Sequence, residues 1–513
     1  MNTEIAAYVA RPFGSFADLV ALQARAAPDR IAIICDGEQI DYAGLNTRAD
    51  RIAASLQRDG VVSGGVVAIC AASAIDYAAV FIATLRTGAA IAPLSPSATA
   101  AQLAAMIADS APSHLFVDAA AAAHLAPVEG ALGLGFITLG AGIDAWLAPP
   151  GTTPTPVEVT PEQAFNIIYS SGTTGTPKGI VQSFAMRWPH NHLGDPPGYG
   201  PGAVAMISTP LYSNTTLVSF LPTLAGGGTM VLMPRFDARE FLVLSERHRA
   251  NIAMLVPVQY RRILDVADFD AFDLSSYRMK YATSAPFSAE LKAEVLRRWP
   301  GGLVEYYGMT EGGGSCMLVA HEHPDKLHTV GRPMDGHEML VIDADGNAAL
   351  PGVPGEVVGR SRSMMSGYRN QPAKSAEAEW FNPAGVRYIR TGAIASVDAQ
   401  GFFTLIGRAK DMIISGGINL YPIDLESVLS EHPAVIESAV VGVASREWGE
   451  TPVAFVTLRA PVEADALRTW ANQRLGKMQR ISAVQIVDEL PRNAIGKIVK
   501  RTLQDRYAAE QTV

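Results

Sequence analysis

Cysteine is scarce in this chain. Among its 513 residues there are three, Cys35, Cys70 and Cys316, far apart and with no CxxC pair. That spacing excludes a disulfide framework and a thiolate zinc site, and a reducing, cytoplasmic compartment is expected. Basic runs are missing as well. The formal net charge is −9, so nucleic acid and acidic membrane surfaces are not expected partners. Nor is there a long apolar run. The most apolar stretch, residues 77–93 (YAAVFIATLRTGAAIAP), is broken by Arg86 and by small-residue turns. It is too short to span a bilayer and reads as a buried helix followed by a buried strand. The opening residues, MNTEIAAYVARPFGSF, show no basic segment leading into an apolar one, and no secretory leader is expected.

What is present is the composition of a globular enzyme: 48% hydrophobic and 18% charged residues, in a chain too long for one core. Residues 1–145 alternate short apolar runs (RIAIICDG, VVAICAA) with helical patterns. In YAGLNTRADRIAASLQRDG, Leu45, Ala49, Ile52, Ala53 and Leu56 share one face and Gly60 marks the stop. Such alternation predicts an α/β layer with a largely parallel sheet. Residues 148–163 read as a surface connection. Residues 337–360, with an Asp-Gly turn, read as a small antiparallel β unit. Beyond the composition shift near 407–422 the pattern is that of a separate α+β domain. The expected architecture is a large N-terminal α/β domain of layered sheets (1–408), which includes the small β unit, and a smaller, mobile α+β C-terminal domain (409–513).

One string carries chemistry. Residues 170–179, SSGTTGTPKG, follow a strand (FNIIY) and precede another (GIVQSF). A Walker loop needs Gly, Lys and Ser/Thr in succession at its end; here the order is Pro177, Lys178, Gly179. In a Walker loop the lysine opens a helix, whereas this one opens a hairpin strand. Small residues let consecutive backbone N–H groups converge on an anion. Ser170, Ser171, Thr173 and Thr174 add hydroxyls, Gly172 and Gly175 add freedom, and Lys178 adds charge. A diphosphate suits that set better than a carboxylate. Read without context, the string is also compatible with a ligand-free glycine hairpin.

YSSGTTGTPKG resembles the signature loop of the adenylate-forming superfamily, which includes acyl- and aryl-CoA synthetases, peptide-synthetase adenylation domains and luciferases. The other family elements follow in order: TSAP (283–286), EYYGMTE (305–311), GRAKDMIISGGINLYPIDLE (407–426) and PRNAIGK (491–497). The resemblance implies an AMP-forming acid–thiol ligase that uses ATP, Mg2+ and coenzyme A. It places ATP against residues 170–175 and Lys178, with the backbone of Ser284, Ala285 and Pro286 at the adenine edge and Tyr307 on its face. Glu305, Tyr306 and Gly308 flank the nucleotide, Thr310 lies by the α-phosphate and Glu311 holds Mg2+. Arg408 is placed at the ribose and Lys410 at the hinge. Ser415, Gly416 and Gly417 line the thiol path. Lys497 is the mobile catalytic lysine, and with Thr174, Lys178 and Glu311 it makes the catalytic set. The resemblance also makes Lys497 a point of control by a lysine-acylating regulator.

Two positions depart from the family. After Arg390, Thr391 and Gly392, where the family carries an aspartate for both ribose hydroxyls, this chain has Ala393. After Tyr212, where relatives often carry histidine, it has Ser213. The acid pocket is expected to draw on His190 to His192, Tyr212, Ser213, Asn214, Gln259, Thr283, Gly312 and Gly313. Three glycines after Glu311 are read as open space suited to an aromatic, alicyclic or branched acid of moderate size. No carboxylate is placed to pair with an amino group, and His190 with His192 lacks a third partner for a metal. GGINLYPIDLE is closer to CoA synthetases than to peptide-synthetase domains, and no carrier-like segment follows it, so a diffusible thiol is expected. A carrier protein as acceptor and a nucleotide-binding-impaired relative are the alternatives. The expected assembly is a monomer or a homodimer.

Overall fold

The computed structural model describes residues 3–170, 178–191, 198–415, 418–446, 448–476, 479–493 and 497–510. Contacts divide the chain into two compact units. The first comprises Met1–Leu327, Pro333–Glu338 and Gly359–Ile389; the second comprises His328–Arg332, Met339–Val358 and Arg390–Val513. The boundary expected at 408/409 lies inside the second unit. There, residues 390–408 belong with earlier segments through Gly352 N to Val397 O (2.8 Å) and Val330 N to Phe403 O (2.9 Å).

In the first unit two sheets carry the architecture. One runs in the order Cys316–Val319, Gly302–Tyr307, Met279–Ala282, Ile252–Leu255, Val204–Ile207, Thr229–Leu232, Ile31–Cys35, Glu38–Asp41. Its inner strands are parallel, and Cys316–Val319 and Glu38–Asp41 pair antiparallel. The other sheet has seven strands, with Val66–Cys70, Ala90–Leu94 and His114–Val117 parallel at its centre. Strands buried on both faces read as unbroken apolar runs, and VVAIC and AIAPL are buried at every position. The helix between them, Ile75–Arg86, buries residues 77–85 throughout, as the apolar stretch predicts. On Tyr42–Arg58 the face bearing Leu45, Ala49, Ile52, Ala53 and Leu56 is fully buried. Asp41 caps that helix by accepting from Gly44 N at 2.7 Å.

The second unit is built on a long antiparallel pair, Val435–Ser445 with Gly449–Leu458. Ala483–Ile486 joins Gly449–Leu458 in parallel. Helices Pro422–Ser430 and Ala464–Asn472 bury Leu425, Leu429, Leu467 and Ala471. Strands and helices mixed in this way are the α+β character that the sequence pattern beyond 407–422 predicts.

Candidate active site

The glycine string belongs to a hairpin. Ala164–Ser170 and Lys178–Ser183 pair antiparallel, with Ser170 opposite Lys178 and Tyr169 opposite Gly179. Lys178 opens a strand as expected. Ser171, Gly172, Thr173, Thr174 and Gly175 lie outside the described residues, as do His192, Gly416 and Gly417. The base of the hairpin is pinned by Asp109, which the sequence reading missed. Tyr169 Oη donates to Asp109 Oδ2 (2.7 Å), Asn370 Nδ2 donates to Oδ1 (3.1 Å), and Arg369 Nε donates to the Asp109 carbonyl (2.9 Å). Gly179 packs closely there: a Cβ would sit 3.1 Å from Asp109 Oδ2, Ile167 Cγ2 and Tyr169 Cε1, so these side chains would have to give way.

Tyr368 joins two predicted site residues. Lys178 Nζ stands 4.9 Å from its ring centroid, within cation–π range. Its Oη donates to Glu311 Oε1 at 2.9 Å. Burial and the Glu311 charge both raise the Tyr368 phenol above its usual range, so it stays a donor. Strand Gly367–Tyr368 pairs with the returning arm of the hairpin, which brings the ring to Lys178. Among the described residues no cluster of three or more His, Cys, Asp or Glu could cage a metal. A single carboxylate joined through Tyr368 to a lysine suits Mg2+, which is commonly held by one or two carboxylates plus phosphate oxygens. Glu311 is the residue that would hold it.

Glu311 is fixed by its backbone, whose carbonyl accepts from Met365 N (2.8 Å). Gln182 Nε2 donates to the Thr310 carbonyl at 2.6 Å. The glycines that follow correct the sequence reading, because they do not open space. At Gly312 (φ +74°) a Cβ would meet Ser363 O at 1.9 Å, and at Gly313 (φ +87°) it would meet Ile389 Cβ at 2.6 Å. Neighbouring chain fills the volume, and glycine is needed for close approach and for positive φ.

The remaining first-unit residues gather at the carboxyl ends of the parallel strands, where open α/β sheets bind ligands. Val204–Ile207 leads to Tyr212, Ser213 and Asn214, and Ile252–Leu255 leads to Gln259. Met279–Ala282 leads to Thr283, Ser284, Ala285 and Pro286, and Gly302–Tyr307 to Gly308 and Thr310. Ser284 holds φ +80°, a region non-glycine residues seldom adopt, and its Oγ shares a 2.5 Å hydrogen bond with Thr215 Oγ1. Ser213 caps the helix Asn214–Ala225 by accepting from Thr215 N (3.3 Å). Gln259 Nε2 donates to Ser208 Oγ at 3.2 Å. Glu305, expected beside the nucleotide, is buried against Lys292 in an ion pair. Burial pushes its carboxyl up to about 7, opposed by Lys292. That pairing leaves its backbone for any ligand contact. Tyr306 faces the opposite way and stacks on Tyr281 at 6.0 Å.

In the second unit Ala393 lies opposite Arg408 across antiparallel strands. Ala393 is 9% exposed, and its N donates to Thr391 Oγ1 (3.1 Å). Arg408 and Lys410 are exposed, Lys410 in a short 3-10 turn, Ala409–Asp411. Ser415 is buried at the end of Ile413–Ser415, opposite Gly449. Lys497 is held in a chain reversal. Its N donates to Asn493 Oδ1 (2.9 Å), and Asn493 N donates to the Lys497 carbonyl (2.9 Å). Arg492 anchors the reversal by pairing with both oxygens of Glu437 at 2.6 and 2.7 Å.

The AMP-binding enzyme family matches residues 20–369, and the AMP-binding enzyme C-terminal domain matches residues 424–497. The chain is 30% identical, over 94% of both chains, to a fatty acid–[acyl-carrier-protein] ligase, ScoC, of Streptomyces coeruleorubidus. It is 31% identical to a feruloyl-CoA synthase of an Amycolatopsis species, over 94% of this chain and 97% of that one. The crystal structure of ATP-bound MatB from Rhodopseudomonas palustris superposes with a TM-score of 0.85 at 28% identity, covering 96% of this chain and 99% of that one. The chain therefore belongs to the AMP-binding enzyme family, the adenylate-forming superfamily, as an acyl/aryl-CoA synthetase.

Proposed function

We propose that this enzyme is an AMP-forming carboxylic acid–CoA ligase acting in the cytoplasm on an aromatic, alicyclic or branched acid of moderate size. The observation that carries the reading is the meeting of Lys178 and Glu311 on the Tyr368 ring at the base of the glycine hairpin. A phosphate-seeking cation and a carboxylate suited to a hard metal thereby meet on one side chain.

In the first half-reaction a carboxylate oxygen of the acid attacks the α-phosphorus of ATP, and the bond to pyrophosphate breaks. Lys178 and the loop from Ser170 to Gly175 hold the β- and γ-phosphates, and Thr310 lies by the α-phosphate. The backbone of Ser284, Ala285 and Pro286 edges the adenine, with Tyr307 on its face. Glu311, oriented by Tyr368, would hold Mg2+, which when bound would neutralise polyphosphate charge. Lys497 offsets the charge that develops on the bridging oxygen. In the second half-reaction the CoA sulfur attacks the acyl carbon and AMP leaves. Ser415, Gly416 and Gly417 line the sulfur's approach, and Lys410 is the pivot that exchanges this face for Lys497. Acylation of Lys497 would remove its charge and so regulate the first step. His192, Tyr212, Ser213, Asn214, Gln259 and Thr283 shape the acid pocket.

Pyrophosphate exchange over a panel of carboxylic acids tests the reading, followed by thioester formation with free CoA against holo-carrier protein. Acid-dependent exchange and CoA thioester are expected; exchange with no acid at all overturns the ligase assignment. Transfer only to carrier protein selects the second reading, which the similarity to ScoC favours.

A further inference from the structure

Arg187 closes the short helix Phe184–Arg187 and is 1% exposed. Its Nε donates to Asn166 Oδ1 (3.0 Å), and its Nη2 donates to Asn214 Oδ1 (2.7 Å) and to Gln182 Oε1. All three partners are neutral amides. Among the described residues no carboxylate is hydrogen-bonded to the guanidinium. Burial pulls Arg187 down to about 9, which still leaves it charged at neutral pH. A buried charge with no counter-charge is costly and is normally paired.

The next turn, Trp188–Asn191, adds a buried Asn191 Oδ1 without a hydrogen-bond partner and a buried His190 Nδ1 that meets no full hydrogen-bond geometry, although the backbone of Arg187 and Met186 stands close to the imidazole. Burial, reinforced by Arg187, pulls His190 down to about 3. It is therefore neutral, and Arg187 is the one charge in this wall among the described residues. The wall borders the residues proposed to receive the acid. Asn214, one of those residues, bonds Arg187 directly. The interior thus offers a cation, amide groups and a neutral imidazole where an aliphatic pocket would be lined by hydrocarbon. Unsatisfied buried polar atoms clustered on one short segment await a ligand or ordered water.

We propose that Arg187, with His190 and Asn214, forms an anion-receiving wall of the acid pocket, so that the preferred substrate carries a second carboxylate besides the one that is adenylated. This rests on the ligase reading and deepens it. Arg187 is then the specificity-determining residue: the second carboxylate supplies the counter-charge that its amide partners among the described residues do not.

The test is pyrophosphate exchange by the full-length enzyme with sets of acids matched in length, ending in methyl, methyl ketone or carboxylate. The diacid is expected to lead its methyl analogue by about ten- to a hundredfold in kcat/KM, the range for one charge-assisted hydrogen bond. In Arg187→Met, checked for folding by thermal melt, that ratio should collapse toward one, with Arg187→Lys restoring part of it. A wild-type preference for the methyl or ketone acid overturns the inference and leaves the ligase reading standing. So does a diacid preference that survives in folded Arg187→Met. If Arg187→Met does not fold, the wild-type ratio alone decides. Silence across the whole panel removes the ligase reading, and the inference with it.

Discussion

Ala393→Asp tests how this ligase holds ribose. Ala393 lies opposite Arg408, is 9% exposed, and has a side chain that accepts no hydrogen bond. A carboxylate there would accept from the ribose hydroxyls, and a hydrogen bond to a charged group contributes about 1.5–3 kcal/mol net. Partial burial of the new charge opposes this, while the cross-strand guanidinium of Arg408 returns roughly 0.2–1 kcal/mol. The sum favours the variant by about 2 kcal/mol, or roughly 30-fold in ATP affinity. The contact exists equally in ground and transition states, so KM for ATP should fall with little change in kcat. Calorimetric ATP titration and the ATP dependence of pyrophosphate exchange read this out, and Ala393→Asn should fall between the two. A folded Ala393→Asp that binds ATP no more tightly than the parent refutes the argument; ribose is then held elsewhere.

Tyr368→Phe removes the donor to Glu311 Oε1 and keeps the ring beneath Lys178. The Mg2+ concentration for half-maximal exchange should rise about three- to tenfold, and Mn2+ binding followed by electron paramagnetic resonance should weaken in parallel. An unchanged metal requirement would show that Tyr368 does not orient Glu311. Lys497→Gln should cut adenylation by about a hundredfold or more while sparing thioester formation from a supplied acyl adenylate; equal loss of both steps contradicts its assigned role. His190, pulled from 6.5 to about 3, refuses a proton that the unfolded chain accepts. Stability should therefore fall as pH drops from about 6.5 toward 3. Chemical denaturation of His190→Gln across that range should show a shallower acid limb than the parent, and identical limbs would sink the assignment.

The two layers of this molecule were legible to different degrees. Continuous apolar strands such as VVAIC, the one-sided helix at 42–58 and the hairpin around the glycine string follow from residue periodicity and turn chemistry, which are local. Gly312 and Gly313 misled, because a sequence shows a missing side chain but not the Ser363 carbonyl or the Ile389 side chain that occupies its place. Asp109 and Tyr368 went unnoticed for a related reason. Each is an ordinary polar residue until the fold brings it against Tyr169 or Glu311.

By itself the sequence determined the two-part α/β plan, the phosphate-seeking string, the order of the family elements and the absence of an aspartate at 393. These depend on residue type and spacing along the chain. Only the tertiary structure decided that Lys178 and Glu311 share one aromatic ring, that Glu305 is committed to Lys292, and that Arg187 lies buried among neutral amides. Those facts arise from residues distant in sequence meeting where water is excluded, and there the cost or gain of a charge depends on neighbours that no local pattern names.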